Sequence, residues 1–440
     1  MEKYLRLYAE PETIALDDLP DTISGKVPWA NVIVIPACNE TSGFLRFPPP
    51  CGGRSLMILV INESPLASEE VSQNNRSLVE SIETGFDLLW EYSPESTGFG
   101  MRLLRDLRAP RDLLLVDRFS SGRQLPEGGG VGLARKIGAD LATALIYRER
   151  IRSGWIHCSD GDVHLPDSYF RCSNTERFPA STYAALVYPY CHIAREDSDV
   201  SEEVLRATWL YELSLRYYVA GLRYAGSPYA FNTIGSTMAV SAEYYAKVRG
   251  FPKREAGEDF YLLNKLAKVG QVRELIAGTD CEPLRIEARR SDRVPFGTGA
   301  AVNRITGLTD PVRDYLFYDS EVFQLLQHWL QSWPVIWQSG SQEGLAAAVS
   351  DQPGLLESLQ EIGVEKALTH AFGQSSDLDQ FTRQMHTWFD AFRTLKLIHA
   401  LREHHLPSVN YSELVSGYIF RQLLTQDDDL RVFFESGDIE

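Results

Sequence analysis

No two of the six cysteines (38, 51, 158, 172, 191 and 281) stand at a CxxC spacing, and they are scattered along the chain. That fits reduced, intracellular thiols better than a disulfide framework or a zinc site. Long hydrophobic runs are also missing. Nowhere do about 18 apolar residues follow one another, so no membrane span is expected. The opening Met1-Glu2-Lys3-Tyr4-Leu5-Arg6 has no apolar stretch after its charges. No signal peptide is therefore expected, and the chain reads as cytoplasmic. Positive charge is scarce: 43 Lys and Arg stand against 60 Asp and Glu, a net charge of -17. Broad contact with nucleic acid or anionic membrane is disfavoured, because both recruit basic surfaces. A local basic pocket remains compatible with that balance. No repeat of fixed period is visible.

What is present suffices for a large core, with 44% hydrophobic and 23% charged residues over a length of 440. More than one domain is expected at that length. Residues 32–36 and 56–61 are continuous apolar runs, as in parallel strands buried on both faces. Further strands are expected at 113–116, 155–158, 183–188 and 236–240, and helices at 74–90, 202–224 and 257–269. After the glycine-rich loop Gly128-Gly129-Gly130-Val131-Gly132, Leu133, Ile137, Leu141 and Leu145 recur every fourth residue, a helix facing the sheet. This alternation of strand and helix argues for an α/β sheet with crossover helices. Beyond about residue 312 the texture turns helical, with segments at 319–333, 343–349, 354–371, 376–402 and 411–425. The acidic stretch from Gln426 to Asp429 reads as a solvated segment.

The run Trp155-Ile156-His157-Cys158-Ser159-Asp160-Gly161-Asp162 reads as a strand ending in two carboxylates, with a glycine between them to permit a tight turn. Hard oxygen ligands there suit Mg²⁺ or Mn²⁺, which carry substrate phosphates. Ligands of open α/β sheets bind outside the carboxyl ends of the strands. A surface turn is the other reading, since Asp-Gly is a common turn pair.

Four segments follow one another in a telling order: Val34-Ile35-Pro36-Ala37-Cys38-Asn39-Glu40, Gly132-Leu133-Ala134-Arg135-Lys136-Ile137-Gly138, Ser159-Asp160-Gly161-Asp162, and Gly257-Glu258-Asp259-Phe260. Over about residues 30–300 the chain thereby resembles the nucleotide-diphospho-sugar glycosyltransferases of the GT-A fold, most closely the family 2 type. The stretch Gly235-Ser236-Thr237-Met238-Ala239-Val240, followed by Gly250-Phe251-Pro252, is similar to that family's approach to its catalytic helix. Cys38 stands where the family has an aromatic, and Lys136 where an Asn is common. Residues 285–304 contain no His to serve as a third metal ligand.

The resemblance implies a role for each segment. Pro36, Asn39, Glu40 and Asn62 would hold base and ribose, and Arg135 the diphosphate. Asp160 and Asp162 would hold Mn²⁺ or Mg²⁺, with Asp160 also near the ribose. Asp259 would be the general base with Glu258 beside it, taking a proton from an acceptor hydroxyl. From the residues themselves, Arg285, Arg289, Arg290 and Arg293, ahead of a glycine-rich hinge, are expected either to neutralise the leaving diphosphate or equally to bind an anionic acceptor; Arg293 is the chosen member. Plainer readings exist for each: a turn at Asn39 and Glu40, a solvated Arg-Lys pair, capping acids at 258 and 259, and an exposed basic loop. A dinucleotide or P-loop site is set aside, because Arg135 stands where GxGxxG needs its third glycine and no Gly-Lys-Ser/Thr follows.

The expected fold is thus α/β and GT-A-like: a Rossmann-like, mostly parallel sheet with flanking helices over 1–310, and a helical extension over 311–440. The expected activity is metal-dependent transfer of a sugar from a nucleotide-diphosphate donor to a hydroxyl acceptor, with inversion. A nucleotidyltransferase and a catalytically silent sugar-nucleotide-binding or scaffold protein are the alternatives.

Overall fold

A computed structural model describes residues 1–20, 27–45, 53–94, 98–194, 200–254, 256–291, 297–341 and 343–437. Twelve strands are found among them: β1 (Val32–Ala37), β2 (Ser55–Asn62), β3 (Phe86–Tyr92), β4 (Gly100–Asp106), β5 (Arg111–Arg118), β6 (Trp155–Cys158), β7 (Val163–His164), β8 (Tyr183–Val187), β9 (Tyr190–Ile193), β10 (Met238–Ser241), β11 (Gln271–Glu274) and β12 (Leu284–Glu287). Nine form one sheet in the order β11-β8-β10-β6-β1-β2-β5-β4-β3, and β7-β12-β9 form a second. At the centre β6, β1, β2 and β5 run parallel. Every residue of β1 and β2 is buried, which explains their unbroken apolar sequence.

The fold is therefore α/β, with a large parallel-rich sheet, flanking helices and a helical C-terminal region. The helix Gly130–Tyr147 lies against β1 and β2 and is buried at every position from Gly132 to Leu145. Gly138 allows the close approach, since a Cβ there would lie 2.3 Å from a Val34 methyl. Leu133, Ile137, Leu141 and Leu145 face inwards at 6% exposure or less, and each contributes roughly 1.5–3 kcal/mol by burial.

The chain divides into two compact units, 1–199 with 233–300, and 200–232 with 301–440. The first contains both sheets. In the second, the helix Glu202–Tyr224 joins the helices from Thr298–Thr306 onward around a core rich in aromatics, including Tyr217, Phe323, Trp329, Trp333 and Phe381.

Three expectations need correction. The helix expected at 74–90 is Glu69–Glu83, and the chain from Phe86 onward is β3. Thr84 and Gly85 end the helix, and β3 is a half-exposed edge strand whose Leu88-Leu89-Trp90 only imitates a helical continuation. Cys172 and Cys281, read as reduced thiols, form a disulfide with Cα atoms 5.4 Å apart. The segment from Gln426 to Asp429 is not simply solvated. Asp427 is buried and caps the helix Asp428–Ser436 through the Leu430 N–H at 3.0 Å, and it pairs with Arg223. Asp429 accepts Arg216 at 2.5 Å.

Candidate functional site

The parallel strands β1, β2 and β6 all end on the same side, where α/β sheets place their ligands. Pro36 is the penultimate residue of β1. It lies inside β1, buried and in register with Val60. Asn62, the last residue of β2, is 6% exposed and turns its amide back to the carbonyls of Ala37 and Val60 at 3.1 and 3.2 Å. Asn39 adopts a left-handed backbone at φ 57°, a conformation that Asn tolerates better than most residues.

A helix anchors this turn. The Asn39 N–H donates to Asn75 Oδ1 at 3.0 Å, and the Asn74 amide donates to Asn39 Oδ1 at 2.6 Å. Asn75, wholly buried, also donates to Glu63 Oε2 at 3.2 Å. Sequence reasoning missed Asn75, although a polar residue one turn before the core-facing Leu78, Val79 and Ile82 was a signal that it faces the sheet.

The turn after β6 carries Asp160 and Asp162, and the structure pairs each with a different arginine. Asp160 Oδ1 accepts Arg135 Nη2 at 2.9 Å. Asp162 Oδ2 lies 2.7 Å from Arg289 Nη2. That same nitrogen donates to Glu40 Oε1 at 2.7 Å, while Arg289 Nη1 donates to Glu40 Oε2 at 3.1 Å. Gly161 makes room for the Glu40 carboxyl, which a Cβ would approach to 3.0 Å. Arg289 stays charged: burial opposes its proton, and the carboxylates of Glu40 and Asp162 outweigh that effect.

Arg135 is 3% exposed and makes a second ion pair, Nε to Glu258 Oε1 at 3.0 Å. Its charge survives burial because Asp160 and Glu258 flank it. Gly235 covers the guanidinium, and a Cβ there would lie 2.9 Å from Nη2. Glu258 and Asp259 open the helix Glu258–Ala267 after Gly257, whose φ of 73° suits glycine. Burial, and then the neighbouring Glu258 charge, push the Asp259 carboxyl up to about 7; the Phe260 and Gly235 N–H groups act the other way. A carboxyl so placed gives and takes protons at neutral pH.

Gly132 explains part of the glycine-rich loop. A Cβ there would lie 2.2 Å from the Arg254 carbonyl oxygen and 3.3 Å from Glu258 Cβ. The glycine lets the two helix starts meet. Lys136, read as half of a solvated pair, is buried, with Nζ donating to Asp140 Oδ2 at 2.7 Å, Tyr4 Oη at 3.0 Å and the Tyr8 carbonyl at 3.1 Å. It clamps the N-terminal segment to the helix.

His157 is buried between the Val32 carbonyl and Ser173 Oγ, and burial lowers its pKa to about 4. It is a neutral structural residue. Arg293 lies outside the described residues.

Among the described residues, no group of three or more His, Cys, Asp and Glu is placed to hold a metal ion. An ion that carries phosphates needs only one or two carboxylates besides its waters and substrate. Oxygens from Glu40 and Asp162 converge within 2.7 Å of one Arg289 nitrogen. The hard-oxygen donor set fits Mg²⁺ or Mn²⁺. None of the described helices is long and apolar enough to cross a membrane.

No family model and no curated protein matches this chain. Among solved structures, S. aureus TarS 1-349 in complex with UDP-GlcNAc overlaps at a TM-score of 0.36 and 10% identity, covering 81% of this chain and 91% of that one. A second structure of S. aureus TarS 1-349 overlaps at 0.33 and 10% identity, covering 81% and 90%. A third structure, of S. aureus TarS, overlaps at 0.32 and 10% identity, covering 84% and 55%.

Proposed function

We propose that this chain is a glycosyltransferase that moves a sugar from a nucleotide-diphosphate donor to a hydroxyl acceptor. One arrangement carries the reading. Arg135 ties the strand-end acid Asp160 to Glu258, so the helix start bearing Asp259 is fixed beside the mouth where a diphosphate would bind. A base poised near neutrality next to a strand-end acid pair is what transfer to a hydroxyl requires.

In the proposed reaction the Asp259 carboxylate takes the acceptor's O–H proton as that oxygen attacks the anomeric carbon. The bond from that carbon to the diphosphate oxygen breaks, and its electron pair leaves with the nucleoside diphosphate. Attack opposite the leaving group inverts the centre. A divalent ion held by Asp162 and Glu40 would supply positive charge for the diphosphate. Arg135, too buried to reach substrate directly, keeps Asp160 and Glu258 in place.

The test is product analysis with UDP-glucose, UDP-N-acetylglucosamine and GDP-mannose as probes. Release of nucleoside diphosphate that falls about 10²–10⁴-fold in Asp259→Asn supports the reading. Consumption of added pyrophosphate, with release of nucleoside triphosphate and sugar 1-phosphate, instead assigns a nucleotidyltransferase.

A further inference from the structure

The geometry points to Arg289 as the resident counter-ion of the Glu40–Asp162 pair, one that a divalent ion must displace to reach the same two oxygens. Arg289 Nη2 already occupies a cation's position, 2.7 Å from Glu40 Oε1 and 2.7 Å from Asp162 Oδ2. Like-charged species compete for one pair of carboxylates, so the guanidinium and the metal exclude one another. Asp160 is not the contested ligand, because its bound arginine is fixed.

The two arginines differ in their freedom to leave. Arg135 has 3% of its side chain exposed and is locked between two acids under Gly235. Arg289 has 30% exposed and reaches over the acids from beyond the end of β12. The backbone below it is pinned on both sides. Glu287 N–H donates to the Asp162 carbonyl at 2.9 Å, and Ala288 N–H donates to the Ile193 carbonyl at 2.8 Å. A change of side-chain rotamer therefore frees the acids without moving the strand.

Charge gives the exchange its direction. Glu40 and Asp162 share one guanidinium nitrogen of Arg289. An incoming diphosphate adds more negative charge, so the site requires further positive charge when donor is present and less when it is absent. Metal alone must break the bidentate Glu40 pair, whereas metal arriving with a nucleotide offers the displaced guanidinium a phosphate in return. Free metal should bind weakly, and metal and nucleotide should reinforce one another. This inference rests on the donor-site reading for the nucleotide's identity but not for the metal competition itself.

The test is calorimetric titration of Mn²⁺ alone into wild type, Arg289→Gln, Arg289→Lys, and the double variant Glu40→Gln with Arg289→Gln. Removing the competing cation should tighten Mn²⁺ binding by roughly fivefold to fiftyfold in Arg289→Gln. Arg289→Lys, which loses the fork and keeps the charge, should gain less, and the double variant should lose the gain. Mn²⁺ affinity that is unchanged or weaker in Arg289→Gln overturns the exchange, as does a gain that persists without Glu40. Should Arg289→Gln fail to fold, the Lys variant decides alone, a gain supporting the exchange and no gain overturning it. A parallel UDP-sugar titration separates the two claims. Donor binding with unchanged Mn²⁺ affinity removes the exchange only, and tightened Mn²⁺ binding without donor binding removes the donor reading only.

Discussion

Arg135 and Glu258 stand 123 residues apart in sequence and 3.0 Å apart in the structure, each almost wholly buried. With Asp160 as the third member, this pair joins the end of β6 to the start of the helix Glu258–Ala267. Asp160 and the acid pair at the helix start form one polar unit because of this single side chain.

Removing the cation should therefore be costly. Arg135→Gln leaves Glu258 charged and buried without its partner, and breaking such a pair costs roughly 3–5 kcal/mol. We expect a loss of that size in urea denaturation, with Arg135→Lys recovering part of it. A loss below about 1 kcal/mol would show that solvent already screens the pair.

Asp259 links activity and stability through pH. Its carboxyl titrates at about 7 in the folded protein, while an unfolded chain releases that proton near 4. Between those values the unfolded state holds fewer protons, so this group's contribution to stability falls as pH rises. Asp259→Asn does not ionise. We expect it to be more stable than wild type by roughly 1–3 kcal/mol at pH 7.5, with the difference vanishing towards pH 4. Thermal melts across that range give the answer. In wild type, turnover should fall as pH drops below about 7.

Gly132 permits the contact that brings the two helix starts together. Gly132→Ala places a Cβ 2.2 Å from the Arg254 carbonyl, and backbone must shift to accept it. We expect a loss of roughly 1–3 kcal/mol in denaturation. Donor affinity should weaken with it, because the Glu258–Arg135 bridge moves too. Gly122→Ala is a weaker control, since that glycine adopts φ 79° but has open space around it.

The disulfide closes a long loop, Cys172 and Cys281 being 109 residues apart. Joint replacement by alanine, or reduction, should lower stability by roughly 2–5 kcal/mol. Melting with and without dithiothreitol measures this. No shift on reduction would mean that the thiols are not joined in solution.

Central strands were legible because burial on both faces leaves unbroken apolar runs, as in Val32 to Ile35 and Leu56 to Ile61. The Asp160-Gly161-Asp162 turn and the Glu258-Asp259 helix start could be named because short polar groups interrupt such patterns at element ends. Partners could not be named. Nothing near Asp162 in sequence points to Arg289, and nothing near Cys172 points to Cys281, because both pairings arise from tertiary approach across more than a hundred residues. Edge strand β3 was hidden for the opposite reason. Half exposed, it lacks the burial that makes a strand visible, and its apolar residues extend the preceding helix's pattern past Gly85. The buried Lys136 shows the same limit, since only the fold brings Tyr4 and the Tyr8 carbonyl to it, whereas Asp140 lies one helical turn away.

Binding of a nucleotide-sugar at the ends of β1 and β6 is the central functional claim. Calorimetric titration with UDP-glucose, UDP-N-acetylglucosamine and GDP-mannose, each with Mn²⁺ and with chelator, tests it on wild type and on Asp162→Ala. One donor should bind wild type in Mn²⁺, and its affinity should fall at least about tenfold in the variant. A folded wild-type protein that binds none of the three in either condition, or a donor that binds equally well without Asp162, would contradict a donor site at these strand ends.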